Sequence, residues 1–312
     1  MEVTILNFGA RVSSIKLPVK HQLMEMTVGY AEADDFLTDN YYLGATCGPV
    51  TNRISDAQFS IDDMQYPLSA NCGAHTLHGG ERNVSSRFWT IDTASLTDNF
   101  LKLTLSLDDL EDGFPGQRVF TAEYTLTQTN ELIIQYSGVT DKTTPMNLTN
   151  HTYFSLGQSS CLSHSIKLSS SAFLERQDDG IPTGVINSNT LICQNLRVNN
   201  TLNEIINNTQ YSQIKVEQGL DHCFILDNTP FENPKIALYS QESGVKLNVL
   251  TDQLTAHIYT AKFLSEPFKP YQGVCLECHG YVDAVNQPSS ASILIRPEEI
   301  YSNKTVYQFD FN

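Results

Sequence analysis

Leu101-Lys102-Leu103-Thr104-Leu105-Ser106-Leu107 alternates apolar and polar residues without a break. Successive side chains of an extended chain point to opposite faces, so the pattern predicts a strand with one face buried and one wet. The same period of two recurs along the sequence. Phe120 to Leu126, Leu132 to Tyr136, Ser165 to Leu168, Phe224 to Leu226, Val245 to Val249 and Ser292 to Ile295 are short and rich in β-branched or aromatic residues, with polar turns between them. No segment carries a capped apolar helical stripe over three turns. Strands this numerous predict an all-β fold, a large antiparallel sandwich or a barrel, rather than a parallel sheet wound with helices.

At 312 residues the chain has the length of two average domains, yet β-sandwiches commonly run to roughly 200–250 residues as one. No internal repeat or low-complexity linker divides it, and Asn199-Asn200 and Asn207-Asn208 read as loops, so residues 1–312 are expected to form a single domain. Hydrophobic residues make up 40% and charged residues 17%, the balance of a globular protein. Nineteen basic against 35 acidic residues give a net charge of −16. A surface of that sign repels nucleic-acid phosphates and anionic lipid headgroups, which excludes both as partners. The amino-terminal MEVTILNFGARVSSIKL lacks the basic start and apolar run of an export signal, and nowhere do about 18 apolar residues stand together. A cytoplasmic location is the expectation, with the cysteines at 47, 72, 161, 193, 223, 275 and 278 reduced.

Cys275-Leu276-Glu277-Cys278-His279 has the spacing of a c-type haem attachment site. Read as a strand, it places Cys275, Glu277 and His279 on one face and Leu276 and Cys278 on the other. Neither haem nor zinc then reaches both sulfurs. Glu277 is left as a largely buried carboxylate, either a structural ion partner or a general base of tuned pKa. Asn147-Leu148-Thr149-Asn150-His151-Thr152-Tyr153-Phe154 packs amides, hydroxyls, an imidazole and a phenol together. Such groups are buried only when hydrogen-bonded to each other or to a ligand. Asn52-Arg53-Ile54, Leu77-His78-Gly79-Gly80 and Gly219-Leu220-Asp221-His222 share that polar density. Arginine and aspartate near apolar residues suit neutral polyols, whose hydroxyls need donors and acceptors alike.

Taken in order, LNFGARVSSIKLP, GPVTNRI, TLHGG, DGFPGQRVFTAEYTLT, DKTTPMNLTNHTYFSL, GLDHCF, VCLECHGYVDAVNQP and the closing IRPEEIYSNKTVYQF resemble the aldose 1-epimerases, also called galactose mutarotases. The resemblance implies a large antiparallel β-sandwich with a sugar-binding cup and no metal or cofactor. It implies Glu277 as general base and His151 as general acid for a small-molecule sugar, acting as a monomer or homodimer. Arg53, His78 and Asp221 would surround the sugar together with Asn52. Anomer interconversion needs one proton to leave the C1 hydroxyl while another reaches the ring oxygen. An ionised Glu277 and a protonated His151 are therefore expected near neutral pH. The family usually has glutamine where this chain has His257, and tryptophan near Tyr281; both positions are expected to line the cup, so the preferred sugar stays open. A hexose-phosphate mutarotase and a non-catalytic sugar-binding protein are the alternatives, the first needing a basic cluster at one end of the cup.

Overall fold

A computed structural model describes residues 1–188, 190–208, 212–287 and 290–311. The final residue of the VCLECHGYVDAVNQP motif, Pro288, lies outside them. Leu101 to Leu107 falls within the strand Phe100–Leu107, with Leu103, Leu105 and Leu107 buried and Ser106 exposed. It pairs antiparallel with Arg118–Leu126, which pairs with Glu131–Thr140, which pairs with the closing strand Tyr301–Asp310. These form the middle of a nine-stranded sheet that continues through Lys246–Thr251, Ile236–Tyr239 and Ser165–Leu168.

A second, six-stranded sheet has the order Tyr153–Phe154, Val274–His279, Thr255–Tyr259, Asp221–Leu226, Ser170–Arg176 and Pro182–Ser188, again antiparallel throughout. One apolar core fills the space between the sheets. Phe120, Ile134, Leu247 and Phe309 enter it from the first sheet and Phe224, Ala256, Ile258, Leu276 and Cys278 from the second. The fold is thus an antiparallel β-sandwich. A three-stranded sheet of Glu2–Leu6, Arg11–Val19 and Gln22–Glu25 adds Val12, Ile15, Leu17 and Val19 to the same core.

The DGFPGQR motif is structural. Asp112 receives the guanidinium of Arg118 through both oxygens, at 3.0 and 2.8 Å, and the same side chain donates to the carbonyls of Gly116 and Asp108. Both partners are fully buried, so the pair is stable only because each donor is satisfied.

Three predictions about elements change. Ser292 to Ile295 shortens to Leu294–Ile295, a two-residue pair with Thr144–Pro145. Asn200 begins a two-residue strand with Thr201, and Asn207 is the C-cap of a helix rather than loop. Short helices stand at Leu191–Arg197, Leu202–Ile206 and Ser212–Glu217, each under three turns. The second is held by a capping box, in which Thr201 and Glu204 satisfy each other's backbone N–H groups.

Candidate active site

The strand Val274–His279 is buried at every residue. Leu276 and Cys278 face the core between the sheets, so Cys275, Glu277 and His279 point out of the opposite face, as the alternation requires. Register does the rest. His257 lies across from Glu277 and Cys223 across from His257; Tyr259 lies across from Cys275 and Asp221 across from Tyr259. The outer face of this sheet therefore carries Asp221, His257, Tyr259 and Glu277 side by side.

Two further segments complete a cavity of about 300 Å³ above them. The first is the polar run 147–154, whose residues divide by role. Asn147 accepts from the N–H of Gly280, Thr149 donates to the carbonyl of Cys278, and Asn150 donates to the carbonyl of Gly44 while accepting from Thr152. These four hold the backbone, which is clamped at His151 by its N–H to Ala45 and its carbonyl from Gly44. His151 and Tyr153 then project into the cavity. Gly44 has no room for a side chain, since a Cβ there would sit 1.8 Å from the carbonyl oxygen of Val12.

The second segment brings Asn52, Arg53 and His78. Asn52 and His78 both adopt left-handed backbone, with φ of 59° and 51°, a conformation uncommon outside glycine and frequent at functional sites. The N–H of Asn52 donates to His78 Nδ1 at 3.3 Å, and Thr51 Oγ1 lies 3.2 Å from the same nitrogen. Gly79 follows with φ of 88°, and a Cβ there would meet the carbonyl oxygen of Gly48 at 2.2 Å.

At the centre, His151 Nε2 lies 3.6 Å from Glu277 Oε1. The other ring nitrogen, Nδ1, lies 3.6 Å from Cys275 Sγ, a contact that fixes the plane of the imidazole. Glu277 Oε2 and Arg53 Nε are buried and have no hydrogen-bond partner among the described residues. Groups of that kind in a cavity wall are satisfied by a ligand carrying hydroxyls.

The electrostatics differ from the sequence expectation. Burial, reinforced by the charge of Asp221, raises Glu277 well above the usual carboxylate range. Burial lowers His151 to about 3, although Asp221 pulls it upward. Both shifts favour neutral forms, the reverse of the ionised glutamate and protonated histidine expected. The reason is desolvation, which at full burial outweighs the charges that oppose it, Asp221 on His151 and Arg53 on Glu277. His78 is also held well below the ordinary histidine value, by burial first and then by its neighbours His151 and Arg53. Asp221 goes the other way: burial opposes its ionisation, but the hydrogen bond from His257, with the charges of Arg53 and Arg176, holds it well below the carboxylate range.

His78, His151 and Glu277 offer three potential ligand atoms within 4.8 Å of one another, a set of the type that binds zinc. The hydrogen bonds point elsewhere. Because the Asn52 N–H is donated to His78 Nδ1, the neutral ring keeps its proton on Nε2, the nitrogen left for a cation. That arrangement offers a donor to an oxygen ligand rather than a lone pair to a metal.

Seven of the eight residues expected at the site line this cavity: Asn52, Arg53, His78, His151, Asp221, His257 and Glu277. Tyr281 does not. It packs against Leu174, Cys223 and Val282 beside the cavity rather than within its wall. Tyr42, Tyr153, Tyr259 and Phe263 line the cavity and were not singled out. Period two from His257 would have found Tyr259, and the same step from His151 would have found Tyr153. Tyr42 and Phe263 sit on connecting segments, and nothing in their sequence surroundings marks them.

Comparison with known proteins places these features in context. The family model for aldose 1-epimerase matches residues 1–308. A galactose mutarotase of Rattus norvegicus is 30% identical over 99% of this chain and 91% of its own length. An aldose 1-epimerase of Haemophilus influenzae is 33% identical over 92% of this chain and 86% of its own. Among solved structures, an aldose epimerase homologue from C. elegans covers 99% of this chain and 96% of its own, with a TM-score of 0.92 at 26% identity. Galactose 1-epimerase from Lactobacillus acidophilus shares the fold with a TM-score of 0.87 at 24% identity, over 99% of this chain and 90% of that one.

Proposed function

The chain belongs to the aldose 1-epimerase family, and on that premise we propose that it interconverts the α- and β-anomers of a free aldohexose such as galactose or glucose. The observation that carries the proposal is the buried pair of Glu277 and His151, 3.6 Å apart, with a second carboxylate oxygen unpartnered in the wall of a cavity. Glu277 takes the proton of the C1 hydroxyl as the C1–O5 bond breaks and a C1 carbonyl forms. His151 gives a proton to the departing ring oxygen. The C1–C2 bond rotates by half a turn, and closure from the other face returns both protons.

The pair needs one proton between its two members. Burial favours its residence on Glu277, and transfer to the ring across 3.6 Å creates the carboxylate and imidazolium that the reaction uses. The charge of Asp221, which favours the protonated ring, assists that transfer. Asp221 accepts from sugar hydroxyls, Arg53 donates to them, and His78 supplies its Nε2–H near the ring oxygen; Asn52 and His257 hold Arg53 and Asp221 through hydrogen bonds in the same wall. Among the described residues lining the cavity, Arg53 alone carries a permanent positive charge, whereas a phosphorylated sugar calls for a cluster. The same assignment carries with it a single domain working in the cytoplasm as a monomer or homodimer. Among the described residues no helix is long and apolar enough to cross a membrane.

Exchange spectroscopy between the anomeric proton signals of galactose tests the proposal. The wild type is expected to accelerate exchange and Glu277→Gln to lose about 10²- to 10⁴-fold of that acceleration, the usual loss for one proton-transfer group. A variant as fast as the wild type removes Glu277 from the mechanism.

A further inference from the structure

Along the cavity wall runs a line of hydrogen bonds whose direction is fixed at one end. The backbone N–H of Arg53 donates to Asn52 Oδ1 at 2.9 Å, and the Arg53 guanidinium approaches the same oxygen at 3.5 Å. Neither group can accept, so the Asn52 carbonyl must face them and its NH₂ must face away. That NH₂ lies 3.3 Å from His257 Nδ1, which therefore accepts. A neutral ring then carries its proton on Nε2, and Nε2 lies 2.7 Å from Asp221 Oδ1. The second oxygen of Asp221 lies 3.6 Å from the guanidinium of Arg176, which pairs in turn with Glu217 on the helix Ser212–Glu217. Turning any amide or imidazole in this line over leaves two donors face to face. His257 is buried, which makes such a mismatch costly.

We propose that His257 is a positioning residue: held in its Nε2-protonated form by Asn52, it fixes the orientation of the Asp221 carboxylate against which sugar hydroxyls are read. The functional half of this statement rests on the mutarotase assignment; the proton position does not. His257 touches no reacting atom in this scheme. Its effect therefore falls on binding, and its loss raises KM while leaving proton transfer at Glu277 and His151 in place.

The groups facing His257 are Asp221 from the neighbouring strand, Asn52 and Arg53 from the loop above, Glu277 across the other strand pair, and His279, whose ring stacks at 6.3 Å and 24°.

The experiment combines ¹⁵N NMR of the histidine rings with steady-state mutarotation by the wild type, His257→Ala and His257→Gln. His257 is expected to show the Nε2–H tautomer at pH 7.5. His257→Ala leaves one donor and one acceptor unpaired and is expected to raise KM about tenfold or more, with kcat within about threefold. His257→Gln, whose amide both donates and accepts, is expected to recover most of that loss. An Nδ1–H tautomer, or a His257→Ala variant with wild-type KM, overturns the proposal. A wild type inert on both sugars but showing the Nε2–H tautomer overturns the mutarotase assignment and leaves the hydrogen-bond line standing.

Discussion

The buried pair makes a specific demand on the pH dependence of catalysis. With ordinary values, near 4.3 for glutamate and 6.5 for histidine, a carboxylate and an imidazolium coexist only between those limits. At pH 8 roughly 3% of such rings carry the proton, and kcat/KM would stand about 30-fold below its plateau. Here the groups are shifted apart in the other sense. Burial lowers His151 to about 3 and raises Glu277 well above its usual range, and two groups 3.6 Å apart titrate as a unit. The reactive form is the pair holding one proton, wherever that proton resides. Adding a second requires charging a buried ring, which moves the acid limb down. Removing the last leaves a bare buried carboxylate, which moves the alkaline limb up. The expected profile of kcat/KM is therefore flat from pH 6 to pH 8. Initial-rate polarimetry on fresh α-galactose measures it, at constant ionic strength and with the spontaneous rate subtracted at each pH. A tenfold loss per unit above about pH 6.5 would show a histidine of ordinary value acting alone and refute the shared-proton mechanism.

Two other measurements follow from the interior. His78, His151, His164, His222 and His279 are all lowered by burial, so below about pH 6.5 the unfolded chain binds protons that the folded one refuses. Unfolding free energy is expected to fall on acidification by up to ~1.4 kcal/mol per pH unit for each, partly offset by Glu277, whose raised value stabilises the fold as pH falls. Urea titrations at pH 7 and pH 5 measure the slope; stability that holds or rises at pH 5 contradicts the assignment of neutral rings. Separately, Asp112→Ala strands the buried guanidinium of Arg118, and is expected to destabilise by about 3–5 kcal/mol; a change under about 1 kcal/mol would mean that the guanidinium finds other partners.

Alternation was enough to mark Leu101 to Leu107, Phe120 to Leu126, Leu132 to Tyr136, Ser165 to Leu168 and Val245 to Val249 in the first sheet, because a half-buried strand writes its two faces directly into sequence; Ile236–Tyr239 and the closing strand Tyr301–Asp310 went unmarked. It also fixed the direction of Glu277, since Leu276 and Cys278 had to face the core. What it left out depends on distance across the fold. Nothing local to His257 predicts that register sets it beside Asp221 and across from Glu277. Thr201 and Glu204 did carry a capping-box signal, but the helix they open is too short for a periodic apolar stripe. Tyr281 was placed by analogy of position and proved to belong to a small apolar cluster instead. The charge states of Glu277 and His151 were misjudged for a physical reason: attraction between two groups is visible in their types, whereas the desolvation that outweighs it appears only once burial is known.

The most direct test of the account is the rate at which freshly dissolved α-galactose and α-glucose approach their equilibrium rotation, with methyl α-galactoside as a control. The C1 oxygen of the methyl glycoside carries no proton for Glu277 to take, so proton-transfer ring opening predicts fast equilibration of at least one free sugar and an unchanging signal from the glycoside. Failure to accelerate either sugar, or any change in the rotation of the glycoside, would contradict it.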